Sequence, residues 1–332
     1  MTNAERAHAG TISEVGEIAA LERIFPLLPR ADAALVGPGD DAAVLRADDG
    51  RFVVTTDMMV HGPDFRFAWS SPHDLGWKAA VTNLSDVAAM GARPTALVVA
   101  IAANPGTPVA DLEAIADGFR DACEALAPGC GVVGGDLSVS RTFTIAVTAF
   151  GDLEGRAPVL RSGARVGDAV AVSGELGVAA EGLRLLFTEA VNDDGTPDAA
   201  LAASAAARHP RQIGAQRAPR PPLSDGPLAA VAGATAMLDL SDGLARDAGR
   251  IARASGVGVD FAASALGTDP RLALDGGEDH GLLACFPPGT RLPGGFREIG
   301  RVIEGSGVLV DGRPYTRESG WDPYAGWDGA AG

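Results

Sequence analysis

Four stretches of this chain set carboxylates beside small or apolar residues, where a bare negative charge is poorly solvated. They are VGPGDDAAVLRADDGRFVVTTD (36–57), NLSDVAAMGA around Asp86, VVGGDLS around Asp136, and LDLSDGL with Asp239 and Asp242. The first holds a Gly-Pro-Gly turn, Asp40 and Asp41, and the run FVVTTD, whose β-branched residues favour a strand ending on Thr55, Thr56 and Asp57. Ligands of α/β folds gather at such strand ends. Together the four predict one acidic site built from distant parts of the chain.

Two unit charges about 4 Å apart repel by roughly 1 kcal/mol in water and about 4 kcal/mol at an effective dielectric of 20. Several converging carboxylates therefore call for cations. Asp carboxylates with Thr and Ser hydroxyls are hard ligands that select Mg²⁺ over zinc or iron. No stretch has EF-hand spacing. Mg²⁺ on scattered carboxylates keeps positions open for phosphate oxygens, which makes phosphoryl transfer the leading chemistry. There is no G-x-x-x-x-G-K-[ST] loop and no protein-kinase signature. Metal must then neutralise charge that a P-loop lysine would otherwise share. Gly134-Gly135-Asp136 is suited to bringing backbone N–H groups close to a phosphate.

The composition fits this reading. A formal net charge of −16 argues against nucleic acid or an anionic membrane as partner. Hydrophobic content of 46% with 21% charged residues is that of a globular protein. Cys123, Cys130 and Cys285 form no C-x-x-C pair and read as small buried hydrophobes. No apolar run approaches the ~20 residues of a membrane span and no leader pattern is visible, so the expected location is the cytoplasm. A length of 332 residues allows two domains.

The elements that must position these residues follow from periodicity and punctuation. A helix is expected over Glu14–Leu28, and strands near Ala43–Leu45 and Phe52–Asp57. The helix from Pro72 to Met90 is the clearest: Ser71 caps it, Pro72 suits its first position, Asp74 meets its positive end, and Gly91 stops it. Trp77, Val81, Leu84 and Ala88 form its apolar stripe. Lys78 (the only lysine of the chain), Thr82, Asn83, Ser85 and Asp86 make a polar patch on another side. A strand over Ala96–Ala103, a helix over Val109–Ala127 and a strand over Thr142–Phe150 complete a mixed α/β domain, 1–155. The second domain, 156–332, begins with strand 167–174 and a helix over Leu176–Phe187. Residues 191–226, rich in Ala, Arg and Pro, read as connector and not core. A strand over Ala234–Leu240 then delivers Asp239, Ser241 and Asp242.

In order along nearly the whole chain, GPGDDAAV, TTDMMV, NLSDVAAMGA, VVGGD, LRSGARVGD, LDLSDG and GGEDH resemble the thiamine-monophosphate kinase family. That family belongs to the superfamily of aminoimidazole ribonucleotide synthetase. The resemblance implies a two-domain α/β architecture with mixed sheets, the N-terminal domain pairing in a homodimer and the C-terminal domain closing over nucleotide and substrate. It implies ATP-dependent phosphorylation of thiamine monophosphate to thiamine diphosphate, with several Mg²⁺ ions and ATP as co-substrate. By motif, Asp41, Thr55, Thr56, Asp57, Asp86, Asp136, Asp239 and Asp242 resemble the metal ligands. Gly135, Asp136, Arg161 and Ser241 resemble ATP-contacting positions. Glu278 and a C-terminal aromatic, Tyr324 or Trp327, resemble the thiamine-binding positions.

Two features depart from the family. Where a His commonly precedes a Phe after the TTD strand, this chain has Asp64 before Phe65, with His61 three residues earlier; either residue is a candidate substrate contact. The segment between Phe261 and Gly276 is also shorter than usual. His280 reads as a hydrogen-bonded partner and not a catalyst. No general base is expected, because a phosphate monoester with a second pKa of about 6 is already anionic at neutral pH. The alternatives are another ATP-dependent synthetase of the superfamily and a non-catalytic acidic metal-binding protein.

Overall fold

The computed structural model describes residues 10–38 and 42–316. After α1 (Ile12–Val15) and α2 (Glu17–Ile24), a two-stranded ladder pairs β1 (Ala34–Val36) with β2 (Val44–Leu45). The single N-terminal helix expected from periodicity is instead broken at Gly16, and Pro26 falls in a closing 3₁₀ turn.

The first large sheet has four strands: β3 (Val53–Val60), β4 (Arg93–Ala103), β5 (Gly131–Val139) and β6 (Thr144–Asp152), in the order β3-β6-β4-β5. Only β4 and β5 run parallel. Helices α3 (Pro72–Ala89) and α4 (Val109–Leu126) pack with this sheet in one core that contains Leu84, Phe119, Ile145 and Val147. Ser71 caps α3 as the sequence predicts, accepting from the Asp74 N–H while Asp74 accepts from the Ser71 N–H. The two helices approach through Gly76 and Gly118. A methyl group at either position would collide with backbone of the other helix, at Ile115 or at His73.

The C-terminal half carries a seven-stranded sheet in the order β13-β12-β9-β11-β7-β10-β8. Its strands are β7 (Ala169–Ser173), β8 (Ala236–Asp239), β9 (Gly258–Phe261), β10 (Leu282–Phe286), β11 (Arg297–Ile303), β12 (Gly307–Val310) and β13 (Arg313–Pro314). Every pairing is antiparallel except β12 with β9. The helices of this half are α5 (Val178–Glu189), α6 (Ala199–Arg208), α7 (Pro210–Arg217), α8 (Asp225–Val231), α9 (Leu244–Ser255) and α10 (Pro270–Asp275).

Residues 191–226 are not mere connector. They hold α6 and α7, and Ala202, Ala205 and Ile213 share a buried cluster with Leu185, Leu186 and Trp69. Trp69 comes from the first half, so the two halves interlock there.

Candidate active site

β3 and α3 deliver the first carboxylates. Thr55 and Asp57 are two residues apart on β3, so their side chains leave the same face. That is also the face of Val147 and Val99, which are buried in the same row as Asp57. The Asp57 N–H donates to Asn83 Oδ1 (3.0 Å), and Thr55 Oγ1 donates to Asp86 Oδ2 (2.8 Å). Asn83 is buried and anchored to the Ala79 carbonyl (3.0 Å), so α3 holds the middle of β3 through two polar side chains; the strand runs on to Val60, past the end expected at Asp57. Ser85, expected on the same polar patch, instead donates to the Val81 carbonyl within the helix.

The second half brings Asp239 at the end of β8, then Ser241 and Asp242. The Ser241 carbonyl accepts from the Glu278 N–H (2.8 Å). This approach requires Gly277, because a Cβ there would collide with that same oxygen. Asp242 pairs with Arg250, which also holds Asp247. Asp247 is fully buried and accepts from the N–H groups of Asp242 and Gly243 (3.1 and 3.2 Å), fixing the turn that presents Asp242.

The electrostatics mark one acidic cluster. Burial, followed by the charges of Asp239 and Asp242, raises Asp57 above the ordinary carboxylate range. Burial, Asp239 and Asp57 push Asp86 up to about 7. Asp247 is pushed up to about 7 by burial and by Asp239. Carboxylates raised by burial and by the charge of other carboxylates, as Asp57 and Asp86 are, would gain from a cation between them. The donors are hard oxygens, which fit Mg²⁺. Among the described residues no three acidic, His or Cys side chains converge into a ready metal cage. Mg²⁺ commonly takes one or two carboxylates and completes its shell with water and phosphate oxygens, so the set fits an ion that arrives with a nucleotide.

Several expected ligands stand elsewhere. Thr56 lies between Thr55 and Asp57, and strand alternation turns it to the opposite face, where it donates to the Val147 carbonyl and receives a bond from Thr148. Asp136 is on β5, at the far edge of the sheet from β3. Its row runs Met58–Ala146–Ala100–Asp136, on the face opposite Asp57. Within one chain neither side chain joins the cluster. Gly135 pairs with Val99 beside it. The Leu160–Arg161 main chain runs beside the opposite end of β8 from Asp239, with Leu160 accepting from the Met237 N–H. Arg161 is exposed and its guanidinium makes no bond among the described residues. Asp40, Asp41, Trp321, Tyr324 and Trp327 lie outside the described residues.

Next to the cluster opens a cavity of about 610 Å³ whose lining includes Asp64, Trp69, Lys78, Phe187, Gln216 and Glu278. Asp64 accepts from the Val60 N–H (2.7 Å), and burial, with a contribution from Glu278, raises its pKa. Lys78 is buried and paired with Glu278. Trp69 and Phe187 meet edge to face with centroids 4.8 Å apart, and Arg66 lies over both rings at 4.5 and 4.8 Å. His61 is not part of this wall. It packs against Phe65 and Phe67 instead, which leaves Asp64 as the residue facing the cavity. A second cavity, of about 620 Å³, is lined largely by apolar residues of α2, α4, β4 and β5. Of the expected metal ligands it touches only Asp136; the first touches none, but is joined to the cluster through Glu278, whose N–H meets the Ser241 carbonyl.

Glu278 and His280 both adopt left-handed backbone, φ 71° and 53°. Such conformations cost about 1–3 kcal/mol each and gather at functional sites. His280 is not the hydrogen-bonded partner expected. Its Nδ1 lies 3.6 Å from Asp239 Oδ2, and neither ring nitrogen has a hydrogen bond among the described residues. Burial lowers its pKa, but Asp239 and Glu278 outweigh that and leave it raised. Asp247, Arg250, Gln216, Trp69 and Phe187 were invisible as site residues, since each is a single side chain without a motif of its own. Lys78 carried one signal, its uniqueness.

Residues 39–153 match the family model of AIR synthase related protein, N-terminal domain. The chain is 44% identical over 330 residues to thiamine-monophosphate kinase of Mycobacterium tuberculosis, covering 95% of this chain and 93% of that one. Its fold is similar to the crystal structure of thiamine-monophosphate kinase from Stenotrophomonas maltophilia K279a, with a TM-score of 0.76, 32% identity, and coverage of 91% and 98%. It is also similar to AaThiL complexed with AMPPCP and TMP, with a TM-score of 0.70, 32% identity, and coverage of 93% and 97%. The mixed α/β fold, the order of its motifs and identity of this extent place one conclusion on the whole chain: it belongs to the thiamine-monophosphate kinase family.

Proposed function

We propose that this chain transfers the γ-phosphoryl group of ATP to the phosphate of thiamine monophosphate, giving thiamine diphosphate and ADP. One observation carries the reading beyond kinship. The carboxylate cluster of Asp57, Asp86, Asp239 and Asp242 stands next to a cavity of about 610 Å³ that has an aromatic pair and the carboxylates of Asp64, Asp275 and Glu278 in its wall. Helix α3 joins the two regions, with Lys78 in the cavity and Asp86 in the cluster two turns further on. A heterocycle seated in the cavity can therefore extend its phosphate towards the acids.

The acceptor oxygen is already anionic, so the residues need only align it with the γ-phosphorus and keep water out. Bound Mg²⁺ would neutralise the phosphates in such a site. Asp57, Asp86, Asp239 and Asp242 are the residues that would hold it, with Asp41 as a further candidate. Thr55 and Asn83 orient this set, and Ser241 stands beside it.

The chain is read as two domains, 1–155 and 156–332, that close over nucleotide and substrate, and as a cytoplasmic homodimer. The dimer is supported by the outer face of the four-stranded sheet, where Val54 and Met58 are 54% and 61% exposed. Pairing through this face sets Thr56 and Asp136 at the interface, which accounts for their distance from the cluster within one chain. Among the described residues no helix is long and apolar enough to cross a membrane.

The test is incubation with ATP, Mg²⁺ and thiamine monophosphate, followed by separation of the products. Thiamine diphosphate and ADP in equal amounts are expected. ADP without thiamine diphosphate, or neither, would overturn the reading.

A further inference from the structure

We infer that Lys78 is a positioning residue of the acceptor cavity, reaching from the N-terminal half to aim the Glu278 carboxylate at the cationic heterocycle of the substrate. This rests on the function proposed above and adds to it the residue that sets the preference for a cationic acceptor. Lys78 is only 5% exposed, and its ammonium is taken up by Glu278 and by Gln216 Oε1 at 3.5 Å. Both partners come from the other half of the chain. The Glu278 side chain keeps 33% of its surface exposed at the cavity wall. What the substrate meets is therefore the carboxylate, with the lysine behind it.

Glu278 needs such an anchor. Its backbone is left-handed, and its neighbour Gly277 is pressed against the Ser241 carbonyl, so little in the loop itself fixes its side chain. Burial alone would raise its pKa, and Lys78 reverses that to leave it below the ordinary value. Asp64 is the second carboxylate of the wall. The other charged groups there are engaged: Arg184 with Glu181, Arg66 over the two aromatic rings, and Asp275 with Tyr315. Glu278 and Asp64 are the carboxylates left to face a ligand there. Carboxylates so placed suit a heterocycle that bears positive charge, as a thiazolium does.

A double-mutant cycle tests this. Lys78→Met and Glu278→Gln are each expected to raise KM for thiamine monophosphate by about 10-fold or more. KM for ATP should stay within roughly two-fold of wild type. If Lys78 works through Glu278, Lys78→Met in the Glu278→Gln background adds less than about two-fold. Multiplying losses, an unmoved KM for thiamine monophosphate, or a parallel rise in KM for ATP would each overturn the role. Should Lys78→Met fail to fold, Lys78→Gln removes the charge while keeping a donor and takes its place. The cycle can also be read as thiamine monophosphate affinity by calorimetry. Its outcome is then separate from wild-type turnover, which alone decides the proposed function.

Discussion

Thr55 donates to the Asp86 carboxylate over 2.8 Å, so a hydroxyl on β3 orients an acid on α3. The bond restrains a carboxyl that burial, Asp239 and Asp57 would otherwise drive still further towards protonation. Of the three consecutive polar residues in the strand, alternation turns only Thr55 and Asp57 to this face.

Thr55→Val is therefore expected to weaken Mg²⁺ dependence and turnover more than it weakens the fold. A hydrogen bond to a charged group is worth about 1.5–3 kcal/mol, which corresponds to roughly 10- to 100-fold in turnover. Activity titrated against Mg²⁺, with thermal unfolding as control, checks this. Thr56→Val, which alters the opposite face, should leave the Mg²⁺ titration of the isolated chain in place. Equal effects from the two substitutions would remove Thr55 from the site.

Asp57→Asn should lower turnover by at least about 100-fold, as expected when a ligand of a phosphate-neutralising ion is lost. The thermal midpoint measured in a metal chelator should stay or rise, because one of several mutually repelling charges is gone. Wild-type turnover in this variant would show that Asp57 holds no metal.

Asp86 and Asp247 each stand at about 7 in the folded chain against an ordinary carboxylate value of 3.8. Between those values the folded state keeps protons that the unfolded state releases. Their stabilising contribution is thus complete below 3.8 and lost as pH rises through about 7. In a chelator the thermal midpoint should fall from about pH 5 to about pH 8, and Asp86→Asn should flatten the slope. Mg²⁺ with ATP should raise the midpoint more at the upper end, where the carboxylates are free to bind. A flat profile in the wild type would contradict the clustering of these acids.

The parts of this molecule legible in the sequence are those where a local rule has no rival. Ser71, Pro72, Asp74 and Gly91 fix α3, and the β-branched run fixes β3. The motif Asp residues of β3, α3 and β8 come near enough that, beyond burial, the charge of Asp239 raises the pKa of Asp57 and of Asp86. Residues 191–226 do not read as core because α6 buries only alanines and α7 only Ile213 and Gln216, a faint periodic signal beside a cluster of prolines. Asp136 shares its motif grammar with Asp86 and Asp239, but strand order is a tertiary fact, and it sets β5 three strands from β3. The roles of Asp247 and Lys78 depend on partners 5 and 200 positions away, Asp242 and Glu278, which no spacing rule reveals.

The aromatic wall is the last feature that geometry supplies and sequence did not. Phe187 is half exposed on α5 and meets Trp69, whose indole N–H is tied to the Ala190 carbonyl at 2.9 Å. Trp69 is thus part of the core, while Phe187 is free to touch a ligand. An aromatic contact contributes about 0.5–1.5 kcal/mol beyond burial of area. Phe187→Ala should therefore raise KM for thiamine monophosphate by roughly 3- to 10-fold, with KM for ATP unchanged and little loss of thermal stability. Phe187→Tyr, which keeps the ring, should restore the wild-type value. If Phe187→Ala binds the acceptor as tightly as wild type, the heterocycle does not lie against this wall, and the aromatic contact must come from another part of the chain.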